Sequence, residues 1–317
     1  MTSTIISTHN YHNPSRPVHV VVLQGGLSCE REVSFSSGKG ITEAATALGY
    51  KVTVVDMGRD IASLLAELKP DVVFNALHGG YGEDGSLAGM LEILGIKYTH
   101  SGVLASAIGM DKLRSRDVFM NNGFKYAEMV LVHKDNIPEE EPIKRPYVIK
   151  PISEGSSIGV AVIFPEDDFN LKDYPFKHGD LAIVERYIPG KELQVAIVRD
   201  KAIGVMEIRP KGRFYDYEAK YVEGFAEHIY PAPLSVEIYN QAMKLAEDAH
   251  NILGCRDINR VEFRYDDSEG GDGGLYILEV NTHPGMTPLS IVPDIARHHN
   301  ISYNDIVEML IEQAMQR

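Results

Sequence analysis

The chain of 317 residues has only two cysteines, Cys29 and Cys255. Two thiols are too few for a disulfide framework or a cysteine-ligated metal centre, and both are expected to be reduced. No apolar run approaches the ~18 residues that span a bilayer, and the opening MTSTIISTHNYHNPSRP lacks the long apolar stretch of a secretory signal. A cytoplasmic protein without membrane contact is therefore expected. Positive charge is also scarce: 31 Lys plus Arg face 45 Asp plus Glu, a formal net charge of -14. That sign repels a phosphate backbone over most of the surface and disfavours general nucleic-acid binding. No G-x-x-x-x-G-K-[ST] loop occurs, and neither GGLSCEREVS nor ALHGGYGEDG is read as a G-x-G-x-x-G loop, which disfavours dinucleotide binding. No repeat of about 20 to 50 residues is visible, so solenoids and propellers are excluded.

Hydrophobic residues make up 44% and charged residues 24%, the balance of a globular protein. At ~150 residues per domain the length suits two compact units or three smaller lobes. The first ~16 residues are polar and aperiodic, as expected of a mobile arm. The run VHVVVL at 18–23 is continuously apolar and β-branched, like a strand buried on both faces of a parallel sheet, and it breaks at Gly25-Gly26. A helix is expected near Ser37, capped at Gly49, followed by strands at 51–55 and 71–77 and helices at 60–68 and 84–94. That alternation predicts a doubly wound α/β lobe over 17–100. After two helices, at 102–109 and 112–122, the pattern turns to strands at 129–132, 147–151, 159–163, 181–187, 192–199 and 201–209. These predict α+β structure, divided into a central lobe over 101–184 and a C-terminal lobe over 185–317. The latter holds an amphipathic helix at 236–253 and strands at 258–265 and 274–280.

Chemistry concentrates in seven segments. In RVEF and LEVN, alternate residues share a strand face, so a hairpin brings Arg260 and Glu262 against Glu279 and Asn281. Two carboxylates and an amide oxygen suit Mg²⁺, and the arginine suits a transferring phosphoryl or an oxyanion. A solvated edge hairpin is the plainer alternative, against which stands the proline-glycine turn in NTHPGMT. VIKPISEGSSIGV at 148–160 places Lys150 at a strand end before a loop of small residues that lets N–H groups approach phosphates; an ordinary β-turn is the equal alternative. In IVERYIPGKEL at 183–193, the Glu185 to Ile188 backbone suits an adenine edge, or merely a turn. GGLSCEREVS and ALHGGYGEDG lie beyond carboxyl ends of strands, where doubly wound sheets bind ligands. There Glu30 suits an ammonium or a surface ion pair, and His78 a ligand or a loop-fixing hydrogen bond. Finally, GRFYDYEAKYVEG at 212–224 combines three tyrosines with Lys220, the composition of a lid that excludes water while the lysine takes a carboxylate.

In this order, GGxSxEREVS, LHGxxGEDG, SGVxASAxxMDK, KPxxEGSSxGV, FYDYEAKY and LEVNTxPGMTxxS resemble the D-alanine:D-alanine ligases of the ATP-grasp superfamily, from about Val18 to the C-terminus. The resemblance implies a two-lobed ATP-grasp module after the α/β lobe, and ligation of two D-alanines through an acyl phosphate for peptidoglycan precursor synthesis. A different carboxylate:amine ligase, or one forming D-alanyl-D-lactate, is the alternative; Tyr221 favours the peptide, since ester-forming relatives carry Phe there. ATP is the implied co-substrate, with Lys112, Lys150 and Ser157 toward its phosphates and Glu185, Arg186, Tyr187, Ile188 and Glu192 around adenine and ribose. Glu262, Glu279 and Asn281 match the positions holding two Mg²⁺ (or Mn²⁺). Glu30, tied through Ser156 to Tyr221, would take the first D-alanine's ammonium, and Lys220 with Ser290 the second's carboxylate. His78 and Tyr215 would complete the substrate site, while Arg260 and the Gly285 N–H hold the oxyanion. A homodimer is also implied. The sequence departs from the ligase pattern at Glu262, which replaces the family's Asp.

Overall fold

The computed structural model describes residues 1–9, 17–212, 224–287 and 290–317. The strand read from VHVVVL is β2 (His19–Gln24). It lies inside a sheet with β3 (Lys51–Asp56), β4 (Val72–Asn75) and β5 (Lys97–Tyr98), and all four are parallel. Val20, Val21, Val22 and Leu23 are fully buried, because helices cover both faces of this sheet. On one side stand α2 (Ile61–Leu68) and α3 (Ser86–Ile93), and on the other α1 (Arg31–Ala47).

Helix α1 starts six residues before the expected Ser37. Its first three turns contain Ser34, Ser37, Gly38 and Gly40, a poor helical composition that reads as loop. Those small residues are buried instead, and they let the helix approach the sheet closely: a Cβ on Gly38 would lie 2.1 Å from Gln24 Oε1. A second correction concerns the N-terminus. The arm expected to be mobile contributes β1 (Thr4–His9), which pairs antiparallel with β3 at the sheet edge. Its apolar residues Ile5 and Ile6 are exposed, so hydrophobic periodicity carries no trace of it. The strand is held by its backbone ladder, and Arg59 N–H donates to the Met1 carbonyl. Residues 10–16 lie outside the described set.

Helices α4 (Val103–Met110) and α5 (Lys112–Asn121) lead into a four-stranded antiparallel sheet. Its strands are β6 (Met129–His133), β7 (Tyr147–Pro151), β8 (Ala161–Ile163) and β9 (Leu181–Arg186), in the order β6-β9-β7-β8. The third sheet, also antiparallel, consists of β10 (Lys191–Val198), β11 (Lys201–Pro210), β12 (Ala226–Ile229), β13 (Ile258–Tyr265) and β14 (Leu275–Asn281). Their order is β12-β11-β10-β13-β14. One face packs on α6 (Val236–Leu253), which Ser235 caps through the Ile238 N–H and Gly254 ends at φ +70°. The other faces α7 (Ile291–His298) and the site.

The last helix, α8 (Tyr303–Gln316), leaves the C-terminal lobe to which residues 185–317 were assigned and packs on the first. Ile306, Val307, Leu310 and Ile311 are buried in one cluster with Val20, Ile41 and Val72. At about 1.5–3 kcal/mol per buried aliphatic side chain, this contact ties the two ends of the chain together and fixes the loops that meet between them.

Candidate functional site

Strands β13 and β14 pair with Glu262 opposite Glu279 and Arg260 opposite Asn281, as the period-2 reading requires. Directly opposed carboxylates repel unless a cation intervenes. Arg260 supplies part of that charge: its Nε donates to Glu262 at 3.1 Å, and Nη2 lies 3.8 Å from Glu279. The remaining donors are all oxygens, a set that fits a hard divalent cation.

Beside this hairpin is a cleft of ≈ 460 Å³ between the second and third sheets, within the range of about 300–1,000 Å³ typical of small-molecule sites. Every residue expected around nucleotide lines it: Lys112, Lys150, Ser157, Glu185, Arg186, Tyr187, Ile188 and Glu192. Lys150 and Glu185, on neighbouring strands β7 and β9, form a buried pair with Nζ 2.5 Å from Oε1. Burial alone would lower the lysine's pKa, but the Glu185 charge overrides it and holds the ammonium above its ordinary value. Lys112 Nζ donates to the Glu154 carbonyl at 2.6 Å. The loop between β7 and β8 has consecutive left-handed residues, Ser156 at φ +50° and Ser157 at φ +58°. Such conformations cost on the order of 1–3 kcal/mol each and persist where the surroundings impose them. The Ser156 hydroxyl is held by a short hydrogen bond to Glu30 Oε2, from the first lobe.

A smaller cavity of ≈ 90 Å³ joins the cleft, and Lys112, Glu154, Gly155 and Glu279 line both. Glu30, His78, Ser156, Arg260, Asn281, Gly285 and Ser290 line it as well. Glu30 sits just before α1 and is buried despite its charge. His78 is fixed from both sides, with Nδ1 3.1 Å from Glu83 and Nε2 2.9 Å from Ser37. At Gly285 a Cβ would come 2.8 Å from Ser290 Oγ, so glycine is what allows this loop and the start of α7 to meet. Ser290 Oγ in turn accepts from the Thr287 N–H at 3.0 Å. Tyr215, Lys220 and Tyr221 lie outside the described residues.

Residues 80–85, GYGEDG, do carry the G-x-G-x-x-G spacing. Their N–H groups are turned inward, however: Gly82 and Glu83 donate to the Gly79 carbonyl and Tyr81 to Asp84. A pyrophosphate would find those donors already engaged.

Residues 118–312 match the family model described as D-ala D-ala ligase C-terminus, and residues 58–101 match D-ala D-ala ligase N-terminus. The chain belongs to the D-alanine–D-alanine ligase family. The curated D-alanine–D-alanine ligase of Rickettsia canadensis is 54% identical over 297 residues, covering 93% of this chain and 83% of that protein. The Rickettsia bellii ligase is also 54% identical, over 93% of this chain and 92% of its own. Among solved structures, the Bacillus anthracis D-alanine–D-alanine ligase complexed with ATP matches with a TM-score of 0.78 at 26% identity, covering 94% of this chain and 98% of that one.

The ligase fold also positions residues that the motifs had not singled out. Arg264 lies on the same face of β13 as Arg260 and Glu262, and period 2 alone could have flagged it. It donates to the carbonyls of Ile188 and Gly190, each at 2.9 Å, and sits over the Tyr187 ring, so it holds the segment from Tyr187 to Gly190 in place. His283 enters from the Asn281–Gly285 loop to pack against His100, with the rings tilted at 42° and centroids 3.9 Å apart, and lies 5.8 Å from His78. Burial keeps both partners neutral, lowering His100 to about 3 and His283 well below its ordinary value. Among the described residues, no helix is long and apolar enough to cross a membrane.

Proposed function

We propose that the chain joins two D-alanines into D-alanyl-D-alanine through an acyl phosphate, converting ATP to ADP and phosphate. The observation that carries this reading is the meeting of the two cavities at Lys112, Glu154, Gly155 and Glu279. A nucleotide in the larger cleft ends there, against a small polar chamber sized for amino acids. Lys112 and Lys150 offset phosphate charge locally in a protein whose net charge is -14. Glu30, positioned by Ser156, takes the ammonium of the first D-alanine and leaves its carboxylate toward Arg260 and the nucleotide.

A carboxylate is a poor acyl donor, so its oxygen first takes the γ-phosphoryl group. Glu262, Glu279 and Asn281 would hold divalent cations, which would supply charge neutralisation to the transferring phosphoryl. Arg260 supports the same charge and then, with the Gly285 N–H, the tetrahedral oxyanion formed when the second amine attacks. Ser290 and Lys220 receive the second carboxylate. Water reaching the acyl phosphate would hydrolyse it, so the chamber must exclude water during the reaction, the role that the family resemblance implies for the segment carrying Tyr215 and Tyr221.

An ADP-release screen over D- and L-amino acids and D-lactate tests the substrate assignment. Release driven by D-alanine, with the dipeptide as product, is expected. Release with a different amino acid and none with D-alanine would replace the substrate assignment, and dominant D-alanyl-D-lactate would replace the peptide by the ester.

A further inference from the structure

The amine of the second D-alanine arrives as an ammonium, which has no lone pair for attack. Taking the reaction as proposed above, some group must remove that proton beside the Gly285–Ser290 end of the chamber. Arg260 stays protonated, Lys112 and Lys150 are cations placed toward phosphate, and Glu30 is engaged by Ser156. Of the other titratable side chains lining the chamber, His78 has both ring nitrogens engaged by Glu83 and Ser37, Glu154 lies 3.2 Å from His178, and Glu279 belongs to the proposed metal site; His228, on β12, lines the same chamber and has the right chemistry.

His228 stands opposite Ile208 of β11, in the cross-sheet row that continues through Glu192 and Arg264. This row shares its sheet face with Arg260 and Glu262. The imidazole Nδ1 lies 3.4 Å from Oδ2 of Asp294, in the first turn of α7 and one turn beyond Ser290. That hydrogen bond is the chief cause holding the Asp294 carboxyl below its ordinary range. An aspartate on Nδ1 places the imidazole proton there and leaves the lone pair on Nε2, the arrangement a general base requires. The same carboxylate also accepts from Arg297, while His298 of α7 stacks on Tyr230 rather than on His228. Ile208 brings no charge from β11. The other titratable groups lining the chamber are Glu30, His78, Glu83, Lys112, Glu154, Arg260 and Glu279.

We propose that His228, oriented by Asp294, is the base that deprotonates the second D-alanine. The ammonium N–H bond breaks and its proton passes to Nε2. The freed lone pair forms the C–N bond at the acyl carbon, the bond from that carbon to the bridging oxygen breaks, and the second N–H proton goes to the departing group, which leaves as hydrogen phosphate. The imidazolium then returns its proton to solvent.

The test compares wild type with His228→Gln, using ATP, Mg²⁺ and D-alanine, and two nucleophiles for the acyl phosphate: a second D-alanine, or hydroxylamine, which is largely unprotonated near neutral pH. The expected result is a dipeptide rate lower by on the order of 10²-fold with hydroxamate formation near the wild-type rate. The dipeptide deficit should narrow as pH rises toward the ammonium's own pKa, and Asp294→Asn should shift the ratio in the same direction. Equal losses with both nucleophiles, or an unchanged dipeptide rate, would overturn the role. A loss seen with D-alanine and absent with D-alaninamide would make His228 a carboxylate contact and overturn it too. If the wild-type enzyme gives dipeptide but no hydroxamate, the acyl-phosphate reading itself fails, and this role with it.

Discussion

Replacing Lys150 with methionine should cost the protein much of its stability before any catalytic consequence is counted. The Lys150 and Glu185 side chains are 8% and 4% exposed, with Nζ and Oε1 2.5 Å apart. Removing the ammonium leaves a carboxylate in the interior with its principal counter-charge gone, a loss of about 3–5 kcal/mol. Since ~1.4 kcal/mol is a factor of ten, the folding equilibrium should move by at least about two powers of ten. The control is Lys150→Met combined with Glu185→Leu. Substituting apolar groups for a whole buried pair is often neutral or stabilising, so the double variant should recover most of the loss. Urea denaturation followed by circular dichroism reads the stabilities, and calorimetric titration with a non-hydrolysable ATP analogue should find weak nucleotide binding in both variants. A single-variant loss under about 1 kcal/mol, or a double variant no more stable than the single, would refute the argument that this pair is mutually required.

Glu279→Gln should leave the fold intact and lower ATP-dependent turnover by about two powers of ten or more, because a charged ligand position becomes neutral; near-normal activity at saturating Mg²⁺ would remove Glu279 from the metal site. His100, neutral in the fold with its pKa lowered from 6.5 to about 3, takes up a proton on unfolding between those values. Stability should therefore fall as pH drops through that window, by at most ~1.4 kcal/mol per unit from this residue. His100→Asn, which tolerates the φ of +72°, should flatten the slope, and parallel urea midpoints for the two proteins across the window would contradict it. Deleting residues 1–9 strips β1 from the β3 edge while removing no residue that lines either cavity. Aggregation by light scattering should rise with turnover preserved; lost turnover in the remaining monomeric protein would show that the arm does more than cover an edge.

The strands of the first lobe were legible because burial on both faces writes a continuous apolar run, as in Val20–Leu23. The hairpin register was legible because a period of two fixes which of Arg260, Glu262, Glu279 and Asn281 share a face. Illegible features had local signals that pointed elsewhere or none at all. The first turns of α1 are built from serine and glycine, which favour loops in isolation and here serve close packing. β1 exposes its isoleucines, and α8 carries an ordinary amphipathic stripe that says nothing about which lobe it will cover. The contacts that organise the site are farther apart still: Ser156 reaches Glu30 across 126 residues, and Lys150 reaches Glu185 across 35. Composition can nominate each member of such a pair, but only the folded chain brings them together.

The central claim is that the first D-alanine's carboxylate is phosphorylated before the second amine attacks. Supplying D-alanine with both carboxylate oxygens replaced by oxygen-18 and following the products by mass spectrometry tests it directly. Through an acyl phosphate, the oxygen lost from the acyl carbon leaves on phosphorus, so each dipeptide formed should be matched by one inorganic phosphate carrying a single labelled oxygen. Dipeptide accompanied by unlabelled phosphate would contradict the account.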